Sequence, residues 1–349
     1  MPHPSWSHGT NMGNTQSARV GAVVIGRNEG ERLERCLHSL HGRVSPLVYV
    51  DSRSTDGSVA FARSLGVEVV ELDLSIPFTA ARARNEGFAR LMELDPEVEL
   101  VQFVDGDCEV VDGWIELAQD ELVRDQGLVA VTGVRRERYP ELSIYNELCD
   151  VEWRQGPYGQ TDRFGGDVMI RARALKDVGG YNPRVIAAED DELAVRLVQA
   201  GGRILRLDRP MTLHDAAMYR ITQWWQRAKR CGHGYAQVEH MHGDEPVGKF
   251  RSERKRVLTW GVGVPAALLA LAPPSLGGSL LLAGVYPLRA LKVARDSRLK
   301  GLSPRASAAW GLSCAFSSIP EAVGMAKYHV DRLLHRAPEI IEYKGPEAP

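Results

Sequence analysis

Along the first half of the chain, short apolar runs alternate with stretches of helical spacing, and each run ends in a polar loop. Residues 20–25 (VGAVVI) are followed by Gly26-Arg27-Asn28-Glu29-Gly30, after which Leu33, Leu37 and Leu40 share one helix face. Residues 47–50 end at Asp51 and a turn-rich stretch to Ser58, whose last residues cap a helix running through Leu65. A third strand is expected over 67–72. Residues 79–94 favour helix despite Gly87, and Asp95-Pro96 leads to a fourth strand over 100–104. Further strands are expected over 128–134 and 203–207, with a helix over 193–200 between them. This alternation predicts an α/β fold with a mostly parallel sheet and helices on both faces. Ligands bind such sheets at the carboxyl ends of the strands, so the loops that begin at Gly26, Asp51 and Asp105 are expected to open onto one edge.

The pattern changes in the last third. Residues 257–288 carry no charge, yet Pro273-Pro274 and Gly277-Gly278 break them into halves, each shorter than the ~20 residues a spanning helix needs. Four basic residues precede the stretch (Arg251, Arg254, Lys255, Arg256) and five follow it (Arg289, Lys292, Arg295, Arg298, Lys300). Basic flanks on both sides keep both ends cytoplasmic and fit a hairpin that dips into or across a membrane. A buried helical hairpin in a soluble domain satisfies the same pattern. Residues 306–334 read as an interfacial helix with a break at Pro320. Residues 1–18 lack an apolar core and read as a disordered tail, without the features of a signal peptide. The expected division is therefore a tail (1–18), an α/β domain (19–245) and a helical, membrane-associated region (246–349).

Composition narrows the function. A net charge of −2 offers no global attraction for nucleic acid. The five cysteines are scattered without a CxxC pair, which argues against a disulfide framework or a thiolate zinc site and favours a reducing compartment. Chemistry concentrates instead at Asp105-Gly106-Asp107, directly after the fourth strand. In extended backbone, positions i and i+2 share a side, so these two carboxylates are expected to converge on one point, where they suit Mg²⁺ or Mn²⁺. An EF-hand is excluded because Val110 stands where that loop needs glycine. A second acidic cluster, Glu189-Asp190-Asp191-Glu192, opens a helix, and as a set of N-terminal acids it also suits the helix dipole.

The segments VVIGRNEGERLERCLHSL, VYVDSRSTDGS, ARARNEGFA, FVDGDCEV and AAEDDELAVRL, in this order, resemble a family 2 glycosyltransferase of the GT-A fold over roughly residues 19–240. The resemblance implies a nucleotide-sugar site in which Gly26, Asn28 and Glu29 lie near the nucleotide, Asp51 recognises the base and Arg84 approaches the diphosphate. Asp105 and Asp107 match the DxD metal motif, with Asp107 the direct ligand and Asp105 facing the ribose or the metal's water shell. Gly166 lies in a segment set against the donor sugar, Glu189 and Asp190 match the ED motif with Asp190 as general base, and His214, expected in a loop, completes the metal shell. Ser52 and Arg53 depart from the family pattern and leave the base unassigned. Gln223-Trp224-Trp225-Gln226-Arg227 does not match the QxxRW motif of processive members, while Arg227 and Arg230 remain candidates for phosphate contact. The implied activity is inverting transfer of a sugar from a nucleotide-diphosphate-sugar donor to a hydroxyl of a glycan or lipid-linked, cell-envelope acceptor, at the cytoplasmic side of the cell membrane. A sugar-phosphate nucleotidyltransferase and a non-catalytic nucleotide-sugar-binding protein stay open as alternatives.

Overall fold

The computed structural model describes residues 18–73, 75–243, 248–336 and 339–342. All of the expected tail except Ala18, and the expected boundary at 245, lie outside the described residues. The chain begins with four βα or ββ units: β1 (Val20–Gly26), α1 (Glu31–Leu40), β2 (Leu47–Asp51), α2 (Ser58–Ser64), β3 (Glu68–Glu71), α3 (Ala80–Leu94), β4 (Leu100–Asp105) and β5 (Cys108–Val110). Next come α4 (Trp114–Arg124), β6 (Leu128–Glu137), α5 (Ile144–Trp153), β7 (Gly159–Thr161), β8 (Val168–Arg171), α6 (Ala172–Asp177), α7 (Glu189–Gln199) and β9 (Arg203–His214).

The sheet runs β3-β2-β1-β4-β8-β6-β9-β5, with β7 added on β9. β3, β2, β1 and β4 are parallel, whereas β8 lies antiparallel between β4 and β6, and β5 and β7 are antiparallel to β9. The mostly parallel expectation therefore describes the first half of the sheet, and the second half is mixed. Alternation along β1 shows how the core is divided. Ala22 and Val24 join Leu37 and Leu40 of α1 and Trp114 and Leu122 of α4 on one face, while Val23 and Ile25 join Leu91 of α3 and Leu193 of α7 on the other. Gly87 has a packing reason: a Cβ there would sit 2.4 Å from Val23 Cγ1, so only glycine lets α3 lie this close to the sheet.

After β9, α8 (Ile221–His242) leads into α9 (Arg251–Val257), which continues through π-helical turns (Leu258–Gly263) into α10 (Val264–Leu271). The chain reverses at 272–277 and returns through a 3-10 segment (Gly278–Gly284) to α11 (Val285–Leu299), α12 (Pro304–Phe316) and α13 (Ser318–Leu333). α13 packs along α8, and α12 packs on α11 and α5. The hairpin over 257–288 exists, buried at its ends through Val257 and Tyr286 but not through its middle, as the exposed Leu269, Leu276 and Leu281 show. Among the described residues no helix is long and apolar enough to cross a membrane. The helix expected over 306–334 is two helices, and the break falls at Ser317. Pro320 sits in the first turn of α13, where a missing N–H costs little.

Candidate active site

Register places the expected loops side by side. Gly26 at the end of β1 is opposite Asp51 at the end of β2, and Ile25 is opposite Asp105 at the end of β4. Gly106 N–H donates to Ile25 O at 2.8 Å, and a Cβ on Gly106 would lie 3.1 Å from that oxygen, so the turn between the two aspartates is seated tightly on β1. Asp107 directly precedes β5, whose Cys108 lies opposite His214. His214 is thus the last residue of a long strand rather than part of a loop.

Arg84, 2 % exposed, is the centre of the acidic cluster. Its Nη2 donates to Asp105 Oδ1 at 2.8 Å and its Nη1 to Glu189 Oε1 at 2.7 Å, with Asp190 Oδ1 at 3.5 Å. One guanidinium therefore joins the end of β4 to the start of α7, eighty-odd residues apart in sequence. Burial lowers the pKa of Arg84, and the charges of Asp190, Asp105 and Glu189 reverse that and hold it above its ordinary value. Asp190 responds in the other sense. Burial, although opposed by Arg84, combines with the charges of Glu189 and Asp105 to push its carboxyl well above the ordinary range. Ala188, just before this pair, is held at φ 61, the left-handed region that β-carbon residues rarely adopt.

Asp105 and Asp107 do not converge on one point. Asp105 shares Arg84 with the ED pair and reaches Arg135 Nη2 at 3.2 Å, while Asp107 Oδ2 lies 3.2 Å from His214 Nε2. The reason is the ladder that begins at Cys108: β5 pairs with β9 and sets Asp107, the residue just before it, toward His214. His214 is fixed from two further sides, by Glu137 Oε2 at 3.7 Å from Nδ1 and by the Trp153 ring at 4.6 Å, edge-on. Ligand atoms of Asp107, Cys108 and His214 lie within 4.8 Å of one another, as do those of Asp105, Cys108 and Asp167. Burial raises the Cys108 thiol well above its ordinary pKa, so it stays neutral and the oxygen and imidazole donors carry the site. Six carboxylates (Asp105, Asp107, Glu137, Asp167, Glu189, Asp190) meet two guanidinia and one imidazole here, an excess of negative charge that suits a hard divalent cation. Asp107 and His214 fit as its ligands.

The remaining expected residues line the neighbouring loops. Asn28, at φ 54, accepts from Thr55 N through Oδ1 at 2.7 Å and donates its own backbone N–H to Ser54 Oγ at 2.9 Å, which ties the β1 loop to the β2 loop. Asp51, buried, accepts from Tyr49 Oη at 2.8 Å and Ser54 N at 2.9 Å, so both of its oxygens shape the β2 loop. Glu29 is paired with Arg32 at 3.0 Å. Gly166 abuts the centre of the cluster: a Cβ there would lie 2.5 Å from Asp105 Oδ2 and 2.6 Å from Arg84 Nη2.

Residues 22–179, which contain the first three motif loops and Gly166, match the family model described as glycosyl transferase family 2. The chain carries a glycosyl transferase family 2 domain. Its relatives include glycosyltransferases. It is 28% identical over 219 residues to succinoglycan biosynthesis protein ExoA of Rhizobium meliloti (strain 1021), covering 58% of this chain and 65% of that protein. It is 26% identical over 240 residues to pre-mycofactocin glycosyltransferase of Mycobacterium tuberculosis (strain ATCC 25618 / H37Rv), covering 65% of this chain and 48% of that protein. The match thus spans less than two thirds of these curated relatives. Mannosyltransferase PcManGT from Pyrobaculum calidifontis, solved in complex with GDP-Man and Mn²⁺, shares the fold with a TM-score of 0.60 over 89% of this chain and 88% of that one, at 22% identity.

The ED pair and His214 lie beyond the matched segment, yet the fold brings both against the family 2 domain's DxD turn. Arg135, Asp167 and Glu137 complete the cluster and were absent from the sequence expectations. Asp167, with no exposed surface, accepts from Arg135 Nε at 2.9 Å, from Thr212 Oγ1 at 2.7 Å and from the Asp105 backbone N–H at 3.1 Å, and so braces the aspartate from behind. The signal for it was a charged residue, Asp167, directly before the apolar run VMI. Arg227, a candidate for phosphate contact, is instead paired bidentately with Glu152 at 2.7 and 3.0 Å.

Proposed function

We propose that the protein is an inverting glycosyltransferase that moves a sugar from a nucleotide-diphosphate-sugar to a hydroxyl group of a glycan or lipid-linked acceptor, using Mg²⁺ or Mn²⁺ at Asp107 and His214. The observation that carries this reading is the Arg84 bridge, which sets the ED carboxylates beside the DxD turn. The reaction needs two acidic sites with different tasks, and the cluster supplies both. Asp190, whose environment raises its proton affinity, takes the proton from the acceptor hydroxyl as that oxygen forms its bond to the anomeric carbon. The bond from that carbon to the diphosphate oxygen breaks, and the nucleoside diphosphate leaves with the electron pair. Asp107 and His214 would hold a divalent cation, which would supply Lewis-acid stabilisation of the leaving diphosphate. Arg84 and Arg135 hold Asp105, and Glu189 keeps Arg84 in place beside the base.

The Mn²⁺ and GDP-Man named for the mannosyltransferase of like fold support a metal and a nucleotide-sugar donor, and the names of the succinoglycan and pre-mycofactocin relatives support glycosyl transfer. The basic flanks of the C-terminal hairpin support a place at the cytoplasmic side of the cell membrane. A nucleotidyltransferase would use a basic residue in the loop after β1. Arg27, the basic residue there, reaches Glu342 at 3.4 Å with both side chains exposed. The test is a thermal-shift screen of UDP-, GDP- and dTDP-sugars with and without Mn²⁺, followed by turnover assays of Asp190→Asn. One donor should stabilise the protein in a metal-dependent way, and the variant should bind it without turning it over. Stabilisation that ignores the metal, or undiminished turnover by the variant, overturns the assignment.

A further inference from the structure

α10, VPAALLAL, is apolar around its whole circumference, yet none of its residues is buried. A helix of that kind belongs in an apolar surrounding, a protein core or lipid, and the described residues do not supply one. Its packing partners are the π-helical turns before it and the 3-10 segment that returns beside it, so the tip over 264–284 projects from the body. Leu276 at the turn is 98% exposed and Leu281 85%, and the exposed apolar surface continues at Leu269, Leu282 and Leu288. Contiguous exposed apolar surface on this scale marks a docking face.

Charge identifies the occupant. Where the hairpin leaves the body the exposed side chains turn basic: Arg251 and Lys255 on the way out, Lys292, Arg295, Arg298 and Lys300 on the way back. Within 251–256 there is one acid among four basic residues, and within 289–300 one among five. A second copy docked tip to tip would bring two such basic collars together. Anionic headgroups complement the collar while hydrocarbon takes the tip. Length sets the depth. Eight helical residues rise about 12 Å, far short of a ~30 Å hydrocarbon core but close to the thickness of one leaflet.

We infer that residues 264–284 form a one-leaflet insertion hairpin that docks the protein on an anionic bilayer through the Leu276 and Leu281 tip and the basic collar. This deepens the membrane placement proposed above and rests on it, but not on the transfer reaction. Full-length protein should float with vesicles of equimolar phosphatidylglycerol and phosphatidylcholine and far less with phosphatidylcholine alone. Leu276→Asp/Leu281→Asp should lower the vesicle-bound fraction at least about tenfold, as loss of two buried leucines requires, with an unchanged melting temperature. Lys292→Glu/Arg295→Glu, which leaves the tip intact, should abolish the preference for anionic lipid. No flotation of the full-length protein, or equal flotation of the leucine variant, overturns the membrane placement. A self-association lost in the leucine variant, without flotation, assigns the face to a second copy and overturns it too. Depth is read separately: a fluorophore on Leu276→Cys, with Cys231 and Cys314 replaced by Ser, should be shielded from aqueous quencher on either side. Quenching by reagent trapped inside the vesicles would show a crossing and overturn the one-leaflet geometry alone.

Discussion

Gly166 touches the Asp105–Arg84 pair so closely that even a methyl group has no room, since the displaced atoms would be Asp105 Oδ2, which accepts from Arg135, and Arg84 Nη2, which donates to Asp105 Oδ1. Gly166→Ala must therefore push Asp105 or Arg84 out of line, and we expect kcat/KM to fall about 10²-fold, the usual cost of a 1 Å misplacement, with little change in melting temperature. Steady-state kinetics beside a thermal melt separates this from unfolding. Asp190→Asn tests a different step. It keeps the shape but cannot accept a proton, so kcat should fall by about 10²- to 10⁴-fold while donor affinity by calorimetry stays near that of the wild type. These positions were legible because each belongs to a short motif with chemistry in it. Arg135 and Asp167 were not, because an arginine or aspartate whose partner lies thirty residues away leaves no local mark; only the sheet order, with β8 between β4 and β6, brings them to Asp105.

At the scale of elements, α8 and α13 approach through glycine. A Cβ on Gly324 would lie 1.9 Å from Lys229 O, and one on Gly232 would lie 2.0 Å from Glu321 O, both backbone atoms that cannot rotate away. Gly324→Ala must separate the helices, and a loss of about 3 kcal/mol or more is expected in urea unfolding. His233 lies in the same contact, with its ring edge-on to Tyr328 at 5.4 Å. Burial, helped by Lys327 and opposed by Asp331, lowers its pKa to about 4. The unfolded chain regains an ordinary histidine near 6.5, so between these values the unfolded state binds the extra proton. The stability is therefore full above about pH 6.5 and is lost as pH falls toward 4, by a total on the order of 3 kcal/mol. Unfolding free energies at pH 7.5 and 4.5 should show this loss, and His233→Gln should flatten that part of the slope. The first four strands and their helices were legible from period and turn chemistry. β5, β7 and β8 were not, because three or four residues contain too few repeats to show alternation. β9 was truncated at 207 because Asp208-Arg209-Pro210 reads as a turn, whereas the structure absorbs it as an irregularity in the β6 pairing.

For the whole molecule, the C-terminal helices have two faces with opposite needs. One face is part of the folded body: Val257 of α9 and Met325 of α13 join Ala236 of α8 in a common cluster, Trp224 Nε1 donates to Ser313 Oγ at 3.1 Å, and Arg256 pairs with Glu321 at 2.7 Å. The other face carries the exposed leucines of the hairpin. The charge-free stretch in the sequence did not separate these two faces, because such a stretch looks alike whether protein or lipid receives it. This division makes deletion and substitution diverge. A chain ending at residue 250 removes the helices that cover His233, Tyr235 and Ala236 on α8, and each buried CH₂-sized apolar group so uncovered forfeits roughly 0.8 kcal/mol. We therefore expect the truncated protein to lose several kcal/mol and to precipitate or melt well below the full chain, whereas Leu276→Asp/Leu281→Asp should melt with it. Differential scanning fluorimetry of the three proteins checks this. A truncated chain that stays soluble and melts at the full-length temperature would mean that α8 needs no cover, and that the C-terminal helices are an appendage to the catalytic body and no part of its core.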